Sequence, residues 1–189
     1  MTLLGAYTGD TAGLFRKIRG NGSDLIVAFE PEPRNFRKLS EASACLENAE
    51  LVNAAAWDCD GTDFFEKGRG RGTHRESAEA KMLPGTGRVG TETACAKTVK
   101  TQLRSLDSVL AGRRAEFIKM DIEGAEHKAL QGAAHTIKTF RPAMLIAAYH
   151  RTEDLFAIPE TVLSMRPDYR LFLRKDPAIP AWGVNYLFL

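Results

Sequence analysis

Three carboxylates fall close together in "FIKMDIEGAEHKAL" (117–130): Asp121, Glu123 and Glu126. They follow an apolar run that ends at Met120. In one reading they only decorate the first turn of a helix, where the helix dipole favours acids. In the other they stand on the rim of a parallel sheet, where α/β proteins bind ligands. A second apolar run, "AMLIAAYH" (143–150), ends at His150. Two carboxylates and an imidazole on one rim can take a proton from a reacting hydroxyl. The same three groups could instead bind Mg²⁺ or another divalent ion; a metal-free site is the favoured reading. Glu126 reads as an acid on the solvent side of its helix. His127 and His135 read as surface residues, and Tyr149 as a packing residue.

A second group of residues points to a ligand. "TLLGAYTGDTAGLF" (2–15) reads as a short strand, a glycine turn and a helix. Gly5 and Gly9 bracket the turn, and Asp10 or Thr11 is placed to cap the helix. The turn is neither GxGxxG nor a Walker loop. Glu30 ends the next apolar run, "LIVAFE" (25–30), about twenty residues further on, where nucleotide-binding folds place an acid on the ribose hydroxyls. Pro31 and Pro33 stop the strand there. Glycine turn plus strand-end acid favours an adenosine-containing ligand over a plain water-exposed acid.

These residues need a frame. Strands are expected at 2–4, 25–30, 50–57, 116–121, 143–150, 169–175 and 184–189, with a short one at 97–102. Helical spacing covers 11–19, 35–48, 124–139 and 153–165, with a helical turn at 105–110. The alternation predicts a mainly parallel sheet covered on both faces. The last two strands lack a helix between them and are expected to pair antiparallel through "DPAIPAWG". The polar, glycine-rich stretch 66–96 reads as a long loop, mobile over 68–96, within a single domain spanning 1–189. Its "GRGRG" lacks the interleaved aromatics that stack on RNA bases, so a solvated loop or substrate lid is preferred.

Bulk properties narrow the class. The chain has 189 residues, 44% hydrophobic and 26% charged, with a net charge of +2. That balance gives no electrostatic argument for nucleic acid. No run reaches the roughly 20 apolar residues of a membrane span. The three cysteines, Cys45, Cys59 and Cys95, form no metal spacing and read as free, buried thiols in a reducing compartment. A cytoplasmic protein is expected, with a homodimer compatible.

"VAFEPEPRNFRKL" (27–39), "NAAAWD" (53–58), "SLDSVL" (105–110), "FIKMDIEGAEHKALQGA" (117–133) and "RPAMLIAAYH" (141–150) occur in an order that resembles the FkbM family of S-adenosylmethionine-dependent methyltransferases. The resemblance implies the class I methyltransferase fold: a Rossmann-like three-layer sandwich around a mainly parallel seven-stranded sheet with one antiparallel strand, its first strand here shortened. It implies methyl transfer, usually to a hydroxyl oxygen of a small molecule or glycan. It places Gly5, Ala6, Tyr7, Gly9, Asp10 and Thr11 around the methionine part of S-adenosyl-L-methionine, and Glu30 with Pro31 at the ribose. Ala55, Ala56 and Trp57 would line the adenine. Asp121, Glu123 and His150 would face the reacting centre, with turnover expected to depend most on Asp121. One position departs: the family tends to carry an acid where Leu3 stands. N-methylation, or a degenerate member that binds a nucleoside or a partner without turnover, are the alternatives. The "NPPY" and "DPPY" signatures of nucleobase methylation are absent.

Overall fold

The computed structural model describes residues 1–19, 25–44, 46, 48–67, 73–75, 98–175 and 183–189. The main sheet has seven strands: β1 (Thr2–Leu4), β2 (Ile26–Phe29), β3 (Ala49–Val52), β8 (Phe117–Met120), β9 (Ala143–Ala147), β10 (Leu171–Lys175) and β11 (Val184–Phe188). Their spatial order is β10-β11-β9-β8-β1-β2-β3. β11 runs antiparallel to both its neighbours, and the remaining pairs are parallel. Chain order reverses at β1, so β1 and its neighbours β2 and β8 form the topological switch point, where open α/β sheets bind ligands.

Residue alternation along the strands builds two cores. Leu4, Val27, Phe29, Ile118, Met120, Met144 and Ile146 point to one face. There they meet Leu106 of α3 (Leu106–Leu110), Leu130 of α4 (Glu126–Gln131), Ile137 of α5 (Ala134–Phe140) and Ile158 and Val162 of α6 (Asp154–Met165). Leu3, Ile26 and Ala28 point the other way, onto Ala12 of α1 (Asp10–Arg19) and Leu39 of α2 (Pro33–Ser43). Each fully buried Leu, Ile or Phe here contributes about 1.5–3 kcal/mol. The departure at Leu3 is thus a core side chain, 2% exposed. No helix among the described residues is long and apolar enough to cross a membrane.

The local signals explain the helix boundaries. Glu32 caps α2 by accepting the Asn35 N–H at 2.7 Å, and Pro33 follows at the first helical position, where its missing N–H costs nothing. Ser105 caps α3. Asp107, also in "SLDSVL", reaches across to accept the His135 and Thr136 N–H groups at the start of α5.

Several expectations are corrected. The single strand expected at 50–57 is split: β3 stays in the main sheet, while β4 (Ala55–Ala56) joins a second sheet. That sheet, ordered β4-β7-β5-β6, includes β5 (Gly61–Lys67), β6 (Thr73–Arg75) and β7 (Thr98–Arg104). Its β7 answers to the short strand expected at 97–102, while β5 and β6 went unforeseen: Phe65 is buried but Phe64 stays 57% exposed, and the polar residues around them leave a weak period-two signal. Within the stretch expected to be loop, residues 66–67 and Thr73–Arg75 are paired strand. The rest of the proposed mobile loop, 68–72 and 76–96, lies outside the described residues. The helix expected over 124–139 breaks into α4 and α5 at Gly132, where a Cβ would collide with the Trp57 carbonyl oxygen. Cys59 is exposed rather than buried; Cys45 and Cys95 lie outside the described residues.

Candidate active site

A cleft of about 580 Å³ opens at the C-terminal ends of β1, β2 and β8, within the size range of small-molecule sites. Gly5, Ala6, Tyr7, Asp10 and Thr11 line it from the turn after β1. Glu30 and Pro31 line it from the end of β2, and Ala55, Ala56 and Trp57 from β4 and beyond. Asp121 and Glu123 line it from the end of β8. Of the candidate catalytic and cofactor-binding residues, all but Gly9 and His150 line it.

Backbone geometry shapes the Glu30 side. Gly5 has φ +81°, and a Cβ there would strike the Asp121 carbonyl oxygen, so glycine lets the ends of β1 and β8 close together. Gly9, at φ +93°, does a packing job: a Cβ would press on Leu39 and Ala42 of α2. Tyr7 takes the left-handed conformation at φ 51°, unusual for a bulky residue. That turn aims its N–H at Glu30 Oε2, 2.9 Å away, while the Glu32 N–H donates to Oε1 at 3.0 Å. The Asn35 side chain also hydrogen-bonds this carboxylate, and with about four acceptor positions it still has room for a ligand hydroxyl. Glu30 is 5% exposed, and burial pushes its carboxyl above the usual range despite these donors. Asn53 donates to the Glu30 carbonyl at 2.8 Å and ties β3 to the same corner. Trp57 packs edge-to-face on Phe65 at 5.9 Å, giving the cleft an apolar wall.

The opposite wall is held by side chains. Asp121 accepts the Tyr149 hydroxyl at Oδ1 (2.9 Å) and the Lys119 ammonium at Oδ2 (3.1 Å). Burial opposes its charge, but Lys119, Tyr149 and His150 hold the carboxyl below the usual range. Glu123 has φ 57°, so a strained backbone presents its carboxylate. Gly124, at φ +94°, leaves room for the Arg151 side chain. His150 stands just behind this wall, its side chain 8% exposed. Its Nε2 is 3.6 Å from Asp121 Oδ1 and 3.7 Å from Glu123 Oε2. Its Nδ1 is 2.8 Å from Glu126 Oε1. Burial disfavours the imidazolium, yet Glu126, Glu123 and Asp121 together raise the His150 pKa.

Glu126 is the clearest correction. It is not on the solvent side but fully buried, at 0% exposure. Tyr149 does pack, its ring 4.2 Å from that of His150, but its hydroxyl also engages Asp121. Asp154, 2% exposed, is pushed up to about 6 by burial and by the Glu126 charge. His127 and His135 are exposed, as expected. Among the described residues no set of three or more His, Cys, Asp or Glu is placed to hold a metal ion. Lys119, Phe65 and the α2 cations Arg34, Arg37 and Lys38 also line the cleft. Only Lys119 had a signal in the sequence: its place two residues before Asp121 puts both on the same face of β8's end.

The model of the methyltransferase FkbM domain matches residues 4–175. No curated protein matches the chain. Among solved structures, methyltransferase FkbM from Methylobacillus flagellatus KT superposes with a TM-score of 0.74 at 22% identity, covering 100% of this chain and 43% of that one. Aeropyrum pernix fibrillarin, solved with natively bound S-adenosyl-L-methionine, gives 0.58 at 11% identity, covering 100% and 65%. A putative rRNA methylase from Clostridium thermocellum gives 0.57 at 4% identity, covering 99% and 83%. The chain therefore spans less than half of the Methylobacillus protein and just under two thirds of the fibrillarin. At these identities the solved structures speak for the fold alone, which is the Rossmann-like α/β fold of class I methyltransferases. Since the domain model runs through both walls of the cleft, from the glycine turn past His150, the chain belongs to the FkbM methyltransferase family.

Proposed function

We propose that this chain binds S-adenosylmethionine across the ends of β1, β2 and β8 and methylates a hydroxyl oxygen of a small molecule or glycan. One observation carries the reading: a backbone-held acid, Glu30, and a pair of acids, Asp121 and Glu123, line the same cleft. When bound, the cofactor supplies an electrophilic methyl carbon. Glu30 offers its free lone pairs to the ribose hydroxyls, and the wall at Ala55, Ala56 and Trp57 packs the adenine. The turn from Gly5 to Thr11 holds the methionine end.

Methyl transfer to a hydroxyl leaves a proton to be removed. Lys119 and Tyr149, bonded to its two oxygens, hold the Asp121 carboxyl below the usual range and make it the weaker base. Glu123 has its closest ion-pair partner, His150, at 3.7 Å and is turned into the cleft. Glu123 is therefore the acceptor of that proton, and Asp121 the anchor of the wall around it. Positioning of the hydroxyl by these groups supplies much of the rate.

Leu3, an apolar core residue where the family tends to carry an acid, favours a second reading: nucleoside binding without turnover. Calorimetric titration with S-adenosylhomocysteine, followed by a labelled-methyl screen against hydroxylated metabolites and sugars, separates them. Binding with label on an oxygen supports the proposal; binding without transfer to any member supports the second reading; no binding by folded protein removes both.

A further inference from the structure

We propose that Glu126 is a positioning residue for methyl transfer: its buried carboxylate fixes the His150 ring with a proton on Nδ1 and thereby aims Nε2 at Asp121 and Glu123. This rests on the proposed function for its catalytic meaning, though not for its geometry.

Three contacts make the clamp. Glu126 Oε1 lies 2.8 Å from His150 Nδ1 and accepts the Ile122 N–H at 2.9 Å. A carboxylate only accepts, so the nitrogen facing it must carry the proton. The Ile122 contact pins the backbone between Asp121 and Glu123, the two acids on the cleft wall. The other ring nitrogen then faces Asp121 Oδ1 and Glu123 Oε2 at 3.6 and 3.7 Å. A single oxygen of one buried side chain thus sets the ring, the turn and the spacing of both acids.

The arrangement is costly, which argues that it serves more than folding. Glu126 is 0% exposed, and its Oε2 has no hydrogen-bond partner among the described residues. A buried, half-satisfied carboxylate is destabilising unless a cation compensates it. The cation at hand is His150, and the groups facing it are Glu126 from α4, Asp121 and Glu123 from the turn after β8, and Tyr149 beside it. Asp154 from α6 also lies within reach of the Glu126 charge. Without the imidazolium, the buried Glu126 would lose its ion-pair partner among the described residues. An apolar residue at 126 would fill the core more cheaply but leave the ring free to turn and the Ile122 N–H unpaired.

Nitrogen-15 NMR of histidine-labelled protein tests the clamp without an acceptor, with His150→Gln assigning the signal. His150 Nδ1 should stay protonated across about pH 6 to 9, whereas a free histidine in its neutral form mostly carries its proton on Nε2. A bare Nδ1 in the wild-type chain overturns the proposal. Glu126→Gln keeps the shape and the Ile122 acceptor but removes the charge. With melting temperature and S-adenosylhomocysteine affinity retained, kcat on an active acceptor should fall about 10- to 100-fold at unchanged KM. An unchanged kcat, or a loss that only tracks melting temperature, overturns the positioning role. Failure of the wild-type chain to bind S-adenosylhomocysteine would instead remove the proposed function and leave the NMR result standing.

Discussion

The two walls of the cleft hold their acids by different means. Glu30 is fixed by main-chain N–H groups of Tyr7 and Glu32, which no substitution short of proline removes. Asp121 and Glu123 are fixed by side chains, from Lys119, Tyr149 and His150, and His150 in turn leans on Glu126. A backbone cradle is rigid and indifferent to charge. A side-chain frame is tunable, because each member shifts the protonation of the next, but every member is a point of failure. Holding a ligand needs the first property, and handling a proton needs the second.

The largest effect should come from the side-chain wall. Glu123→Gln keeps volume and removes the proposed proton acceptor, so kcat should fall by about 10²–10⁴ while S-adenosylhomocysteine affinity holds within about threefold. Single-turnover measurements with labelled cofactor check this. If Asp121→Asn loses more rate than Glu123→Gln, the base is Asp121 and its hydrogen bonds must rearrange in the complex.

Glu30→Ala should show the opposite split. Losing charge-assisted bonds worth about 1.5–3 kcal/mol lowers cofactor affinity about 10- to 150-fold, with kcat at saturation surviving. Unchanged affinity in calorimetry, from a folded variant, would take Glu30 out of the site.

The cost of the side-chain frame should be visible in stability. Asp154 is raised from 3.8 to about 6 in the folded chain. Folding therefore favours its protonated form, and stability is lost as pH rises from about 4 through about 6. Asp154→Asn keeps an acceptor for the Arg151 N–H, now 3.1 Å from Oδ2. The variant should be more stable by about 1–2 kcal/mol at pH 7.5 and no more stable at pH 4. Denaturant melts at both values check it; an equal gain at both would show that ionisation is not the cause.

The smallest effect is expected at Tyr149→Phe, which deletes one hydrogen bond to Asp121 and keeps the ring against His150. About 1 kcal/mol of lost positioning corresponds to a roughly fivefold slower kcat. A loss above about a hundredfold would mean that the Tyr149 hydroxyl itself contacts the acceptor.

Much of this was legible in the chain alone. Apolar runs and their spacing predict the seven strands of the main sheet, the antiparallel closing pair and the helices between them, since burial on a sheet face forces a pattern onto local sequence. The glycine turn and strand-end acids locate the cleft for the same reason: strands must stop, and only certain residues fit where they do. Of the second sheet only β7 was legible, as the short strand at 97–102; β5 was not, because Phe65 is its one large buried side chain among those described. The role of Glu126 was invisible for a stronger reason. An acid at the start of a helix is the most ordinary of surface choices, and nothing local marks this one as buried. Only the packing of α4 against α6, which covers it, and the arrival of His150 just after β9, 24 residues later in the chain, turn it inward. Sequence fixes which residues can carry charge; the fold decides which of those charges must be shared.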